Sequence, residues 1–239
     1  SRFKNKASRD LDDWKRLETR NHSYKFVKDE KRDSDFKSLV EALNLNRSVV
    51  RLTGASGLGK TRLLLEAIEI VSSIDDSCVL IFNNALGYEK EIKESIRQAV
   101  EAKVHGLAVV ENCSVDLHNE LAREVNKIEC FLRVVTVGYF HEQVDDSIHI
   151  QLSPLSDDAI KQVLSPILVD LDTSDVDRVA RFSQGYPLMA ILIAEQYRKE
   201  GRLLGSIETR SVVRKLIDGD GGVTDAEKNL LSACSLFDV

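Results

Sequence analysis

The chain has few cysteines and no C-x-x-C pair among them: Cys78, Cys113, Cys130 and Cys234 lie far apart, three of them in or beside expected strands. That spacing argues against a metal site and against disulfides, and buried free thiols in a reducing cytoplasm are the better account. No apolar run reaches the length of a membrane span; the longest, residues 187–194, is far too short. No signal peptide is visible, so a cytoplasmic location is the expectation. An excess of positive charge is missing as well: the net charge is -6 and the pI near 5.5, which gives no global attraction for nucleic acid or a membrane surface. Internal repeats and low-complexity tracts are absent. What is present is 43% hydrophobic and 30% charged residues in a chain of 239, enough for one α/β domain of ordinary size with a smaller one packed beside it.

One stretch organises the rest. Gly54-Ala55-Ser56-Gly57-Leu58-Gly59-Lys60-Thr61 fits G-x-x-x-x-G-K-[ST] at every fixed position, and the apolar run Val49-Val50-Arg51-Leu52-Thr53 leads into it as a strand would. Its glycines let the backbone wrap a polyphosphate, so that main-chain N–H groups and the N-terminus of the following helix point at negative charge. Lys60 is placed to reach the outer phosphates, and the Thr61 hydroxyl to join a Mg²⁺ shell. The bland alternative is a Gly-rich turn that matches by accident. The strand before the loop and the uninterrupted apolar-rich residues 62–71 after it favour the phosphate loop.

Before that loop, residues 1–35 hold eleven basic and eight acidic side chains, so this arm is expected to be largely solvated. Within it, residues 9–19 carry Leu11, Trp14 and Leu17 as a weak apolar stripe that could dock on a neighbouring element. Residues 31–43 read as a helix with Phe36, Leu39, Val40 and Leu43 on one face, capped by Ser34 or Asp33. After the loop, short apolar runs at 78–83, 106–111, 131–137 and 148–152 alternate with amphipathic stretches at 88–104 and 114–128. Such runs suit strands buried on both faces of a parallel sheet, and the alternation predicts a five-stranded α/β fold with ligands at the carboxyl ends of the strands. Beyond Leu152 the pattern turns helical, at 156–164, 172–182 and 188–199, with a weaker helix at 207–217; Pro154 marks the change. The loop at 218–223 resembles a calcium loop but has Val223 and Asn229 where Gly and Glu are needed, and is read as a linker. Thr224 and Glu227 form a capping box that opens a last helix.

The chemistry follows from the sheet edge. Leu107-Ala108-Val109-Val110-Glu111 puts a carboxylate at the end of a buried strand, where it can hold the metal; an exposed Glu at a strand end is the bland alternative. Asn112 can hydrogen-bond an attacking water but cannot take its proton, so either Glu111 does both jobs or turnover is slow. Thr136 ends the fourth strand beside the expected outer phosphate. It reads equally as a sensor of nucleotide state and as a β-branched strand former. His141 and His149 read as surface or structural histidines, and Cys113 near His118 has no orienting acid.

Together these residues resemble the STAND class of P-loop ATPases, signal-transduction switches related to NB-ARC and AAA+ modules. The resemblance runs over about residues 25–239: Gly54 to Thr61 as Walker A, Val109-Val110-Glu111 as Walker B, Val134-Val135-Thr136 as the sensor strand, Leu152-Ser153-Pro154-Leu155-Ser156 as the exit into a lid, and Gly185-Tyr186-Pro187-Leu188 as the G-x-P motif. It implies a P-loop core at 25–153 with a five-stranded parallel sheet, an all-α lid at 154–217, an N-terminal arm at 1–24, and at 218–239 a linker and the start of a winged-helix-like unit.

It also implies a set of site residues. ATP, dATP or ADP with Mg²⁺ would be held by residues 54–62, ending in Arg62, with Pro187 closing over the base from the lid and the segment around Phe26 to Arg32 approaching it from the other side. Thr61 and Glu111 would hold the metal, and Lys60, Glu111, Asn112 and Thr136 would carry the chemistry. The implied function is an ATP-dependent switch that controls homo-oligomerisation and activation of a longer polypeptide, with an effector upstream and a sensor downstream. The style of Gly-Lys-Thr-Arg-Leu is similar to bacterial members in antiphage defence proteins. Glu111 in place of Asp, and the missing Arg after Thr136-Val137-Gly138, depart from the class. The rival expectation is an AAA+ motor or loader acting on nucleic acid or protein.

Overall fold

The structure, a computed structural model, describes residues 11–21, 24–71, 78–127, 129–139, 147–169 and 172–200. Five strands, β1 (Ser48–Thr53), β2 (Val79–Phe82), β3 (Gly106–Val110), β4 (Leu132–Val137) and β5 (Ile148–Gln151), form one sheet in the order β2-β3-β4-β1-β5. Every pairing is parallel. Strands β1 to β4 are buried along their whole length, which is why their sequences run apolar rather than alternating. The insertion of β4 between β1 and β3 decides the position of the site. Val135 of β4 is in register with Val50 on one side and Val109 on the other, so the loop after β1 and Glu111 after β3 flank the carboxyl end of β4.

Period-two alternation sends the strand side chains to two cores. On one face Val50, Leu52, Val109 and Val137 pack with Leu39 and Leu43 of α2 (Glu30–Asn44) and Leu63 and Leu64 of α3 (Lys60–Ile70). On the other, Val49, Phe82, Ala108 and Val134 pack with Ile92 and Ile96 of α4 (Glu89–Glu101) and Leu117 and Leu121 of α5 (Val115–Lys127). The charged arm also reaches the first core. Leu11 and Trp14 of α1 (Leu11–Asn21) are three residues apart, share one side of the helix, and are fully buried there. Burial of this kind stabilises by about 2 kcal/mol per large apolar side chain, which is how a mostly charged helix is held to the sheet.

Helix α2 starts earlier than its apolar pattern suggests. Its cap is Asp29, whose extended backbone lets Oδ1 accept the Arg32 N–H at 2.9 Å. Asp33, expected as a cap, lies in the first turn and pairs with Lys28 and Lys37. After β5 come α6 (Asp157–Leu164), α7 (Thr173–Phe182) and α8 (Pro187–Glu200), which bury Ile160, Leu164, Val179 and Ile193 in a third core of their own. Ser156 caps α6 by accepting the Ala159 N–H. The turn from α7 to α8 needs Gly185, at φ 78°: a Cβ there would lie 2.3 Å from the Leu155 carbonyl oxygen. The Leu155 N–H donates to the Gly185 carbonyl at 2.8 Å, so the turn is bound directly to the segment that leaves the sheet. The weaker helix at 207–217, the loop at 218–223 and the capping box at Thr224 lie outside the described residues.

Candidate functional site: a phosphate loop under a helical lid

The loop between β1 and α3 is shaped by three glycines of positive φ, Gly54, Gly57 and Gly59. Gly59 ends the loop as the N-cap of α3 and supplies no side-chain cap, so the first N–H groups of the helix are left for a ligand. Lys60 is 9% exposed, and its Nζ donates to the carbonyls of Gly54 at 2.8 Å and Ala55 at 3.0 Å. Burial lowers its pKa to about 8, against the opposing pull of the Glu111 carboxylate.

The Thr61 hydroxyl donates to Glu111 Oε1 at 2.8 Å. Glu111 is held by its own backbone, its N–H donating to Phe82 and its carbonyl accepting from Ala85. Burial raises its pKa, while Thr61, the indole of Trp14 and Lys60 pull it down. The Trp14 N–H makes no hydrogen bond of good geometry, so this buried dipole acts on the carboxylate through proximity. Hydroxyl and carboxylate oxygens at this distance form a hard donor set of the kind Mg²⁺ takes, and the glycine cradle fits a polyphosphate beside it.

A cleft of about 290 Å³ opens above the loop. Its floor is residues 56–62, including Arg62, which also pairs with Glu66. Tyr24, Phe26, Val27 and Arg32 line it together with Leu155, Val163, Pro187 and Ile191, and Val27 packs directly in the core of Leu155, Val163 and Ile191. The start of α8 touches the loop itself: the Leu188 N–H donates to the Gly57 carbonyl at 3.3 Å, and a Cβ at Gly57 would meet Leu188 at 3.3 Å. Arg32 lines the cleft, but its guanidinium is already engaged. It donates to the Leu58 and Ser153 carbonyls at 2.8 Å each, strapping the phosphate loop to the segment that leads into the lid. Asp29 Oδ2 accepts the Ser156 N–H at 2.8 Å and closes the same strap.

Thr136 is placed differently from the expectation. Strand alternation turns Val137 toward the loop side and Thr136 toward α5, so its hydroxyl does not line the cleft. It lies instead 2.6 Å from His118 Nδ1 and accepts from Arg51 Nη1 at 3.3 Å. Arg51 Nη1 also donates to the Cys113 carbonyl at 2.9 Å, and His149 Nε2 lies 2.8 Å from Thr53 Oγ1. These contacts are structural. Burial pushes the Cys113 thiol up to about 12, away from the lowered range of reactive thiols. Cys78, Cys113 and Cys130 are free thiols, and among the described residues no cluster of three His, Cys, Asp or Glu side chains could hold a metal. His141 lies outside the described residues.

Of two residues that sequence reasoning passed over, Tyr139 lines the cleft and Arg51 lies buried beneath it. Tyr139, just past β4, donates its phenol to Asn112 Oδ1 at 2.9 Å, and its ring centroid is 5.1 Å from Lys60 Nζ. Arg51 was hidden in an apolar strand, where a charge in the middle of the run was the available signal.

The sequence matches no protein-family model and no curated protein. Solved structures do resemble it. A Walker-type ATPase of Pyrococcus abyssi is 13% identical, with a TM-score of 0.50 over 86% of this chain and 76% of that one. Domain III of the replication initiation protein DnaA of Thermotoga maritima is 16% identical, with a TM-score of 0.50 over 81% and 95% of the two chains. A STAND protein of Pyrococcus horikoshii with a tetratricopeptide repeat sensor is 15% identical, with a TM-score of 0.47; 85% of this chain spans 34% of that one. At these identities the likeness is one of architecture, and that architecture, a five-stranded parallel sheet with flanking helices, is the P-loop NTPase fold.

Proposed function

We propose that this chain is the nucleotide-binding module of a STAND-type switch, in which ATP with Mg²⁺, held between the sheet edge and the helical lid, sets the relation between the two. The observation that carries the reading is the hydrogen bond from Leu188 at the start of α8 to Gly57 in the phosphate loop. A ligand on that loop bears directly on the lid, and the Arg32 strap carries the same information to the segment entering the lid.

In this reading the Lys60 ammonium turns from the Gly54 and Ala55 carbonyls to the outer phosphates. The amides at the start of α3 face the phosphate chain, while Thr61 and Glu111 hold the cation. Mg²⁺ there supplies charge neutralisation at the phosphate oxygens. The apolar lining of Phe26, Val27, Pro187 and Ile191 receives the base. Glu111 combines metal holding with proton acceptance, and with Asn112 as its neighbour the expected hydrolysis is slow, so that holding nucleotide matters more than splitting it. Homo-oligomerisation through this module, an effector and a sensor in a longer polypeptide, a cytoplasmic location and a role in antiphage defence complete the proposal; the G-Y-P joint at residues 185–187 is what supports the STAND subclass.

Titration with a fluorescent ADP or ATP analogue tests it. Lys60→Ala removes charge-assisted hydrogen bonds worth about 1.5–3 kcal/mol, so affinity is expected to fall roughly 10- to 100-fold. Full affinity in that variant would overturn the site. A turnover in the range of kinases, about 1–100 s⁻¹, would contradict the switch.

A further inference from the structure

We infer that Tyr139 is a positioning residue that latches Asn112 in a non-hydrolysing arrangement, and that the latch must open before Asn112 can orient an attacking water. The inference rests on the nucleotide reading above and names a regulatory contact within the same site.

The polarity of the contact carries the argument. Asn112 follows Glu111 and lines the cleft with its backbone at φ 52°, a left-handed conformation that Asn tolerates. Its Oδ1 accepts the Tyr139 phenol at 2.9 Å. That bond takes one of the two lone pairs of the oxygen and ties the carboxamide to the end of β4, so a water must compete with the phenol for the acceptor. An attacking water needs a partner that accepts its hydrogen and leaves an oxygen lone pair aimed at phosphorus; a donor aimed at that oxygen does the reverse. In this arrangement the acceptor that a nucleophilic water needs is shared with Tyr139, and the carboxamide is not free to turn toward that water.

Two further observations show that the contact is built rather than incidental. The chain neighbours of both partners meet Arg51, which is 2% exposed. Arg51 donates to the carbonyl of Cys113, the residue after Asn112, and its guanidinium lies so close under Gly138, the residue before Tyr139, that a Cβ there would be 2.4 Å from Nη2. The Tyr139 ring also stands 5.1 Å from Lys60 Nζ, within cation–π range, so one side chain bears on both the lysine and the asparagine of the site. Tyr139 is 50% exposed, and releasing it unpacks no core.

The test uses the full chain, Tyr139→Phe, Asn112→Ala and the double variant. Phenylalanine keeps the ring over Lys60 and removes the donor. The expected result is a fluorescent-ADP affinity within about 2-fold of the parent and a hydrolysis rate about 3- to 10-fold higher, the size of one exposed hydrogen bond. In the Asn112→Ala background the same change is expected to have no effect. A readout independent of turnover is the Asn112 carboxamide resonance in nucleotide-free, ¹⁵N-asparagine-labelled protein, identified by its loss in Asn112→Ala and expected to shift in Tyr139→Phe. An unmoved resonance, an unchanged or lower hydrolysis rate, or an ADP affinity reduced more than about 10-fold overturns the latch. A parent chain that binds no ADP overturns the nucleotide reading and the latch with it; binding without a Tyr139→Phe effect overturns the latch alone.

Discussion

His118 has no exposed surface, and its ring lies between Thr136 Oγ1 at 2.6 Å and Ser147 Oγ at 3.0 Å. Burial first, then the charge of Arg51, then His149, push its pKa down to about 4 from an ordinary 6.5. Between those values the unfolded chain holds a proton that the native one does not. Stability therefore falls as pH drops through this window, at up to about 1.4 kcal/mol per pH unit for this one group and about 3 kcal/mol in all. Denaturant unfolding at pH 7 and pH 4.5 checks it: His118→Gln is expected to lose some stability at pH 7 yet to lose less than the parent on acidification. An equal acid loss in both proteins would mean that His118 titrates normally. Nothing in the local sequence announces this network, because Arg51, His118 and Thr136 come from three separate elements and meet only across the sheet.

At the scale of elements, the joint between α7 and α8 is the most exacting. Gly185 combines a positive φ of 78° with a site where a Cβ would be 2.3 Å from one backbone atom and 2.7 Å from Pro154. Gly87 has a similar φ of 83° and nothing within 4 Å of its Cβ position. The pair separates two costs. Gly87→Ala is expected to cost about 1–2 kcal/mol, the conformational term alone. Gly185→Ala is expected to cost clearly more and also to weaken nucleotide binding under conditions where the protein stays folded, because Pro187 and Leu188 are carried away from the loop. Unfolding curves and nucleotide titration on both variants decide it; equal effects would mean that the joint can yield. The strands and most helices were legible because burial on both faces writes a continuous apolar run and burial on one face writes a period of three to four. The α2 cap was not, because Asp29 lies outside the apolar pattern that marks the helix, whereas Asp33 and Ser34 lie inside it.

For the whole molecule, the phosphate loop and Glu111 were legible as motifs on one sheet edge that share a metal position, and the strand order that makes them meet was not. It depends on β4 entering the sheet between β1 and β3, which no local pattern records, and the same insertion brings Tyr139 over Lys60. The arm shows the limit of composition in another way: its charge predicts solvation, while Leu11 and Trp14 of the stripe expected to dock are buried in the first core. One of those two has an optical consequence. Trp14 is the sole tryptophan among 239 residues, and α1 places it where the state of the Glu111 carboxylate is felt. If Glu111 holds the cation as proposed, the chain contains its own probe of that position, and no label is required. Adding Mg²⁺ to the ADP-bound protein is expected to shift the indole emission, and Glu111→Gln to remove that shift while leaving any response to ADP alone; an emission indifferent to Mg²⁺ would disconnect Trp14 from that position. Excited selectively, this single indole would then turn the occupancy of one carboxylate into light of a measurable colour.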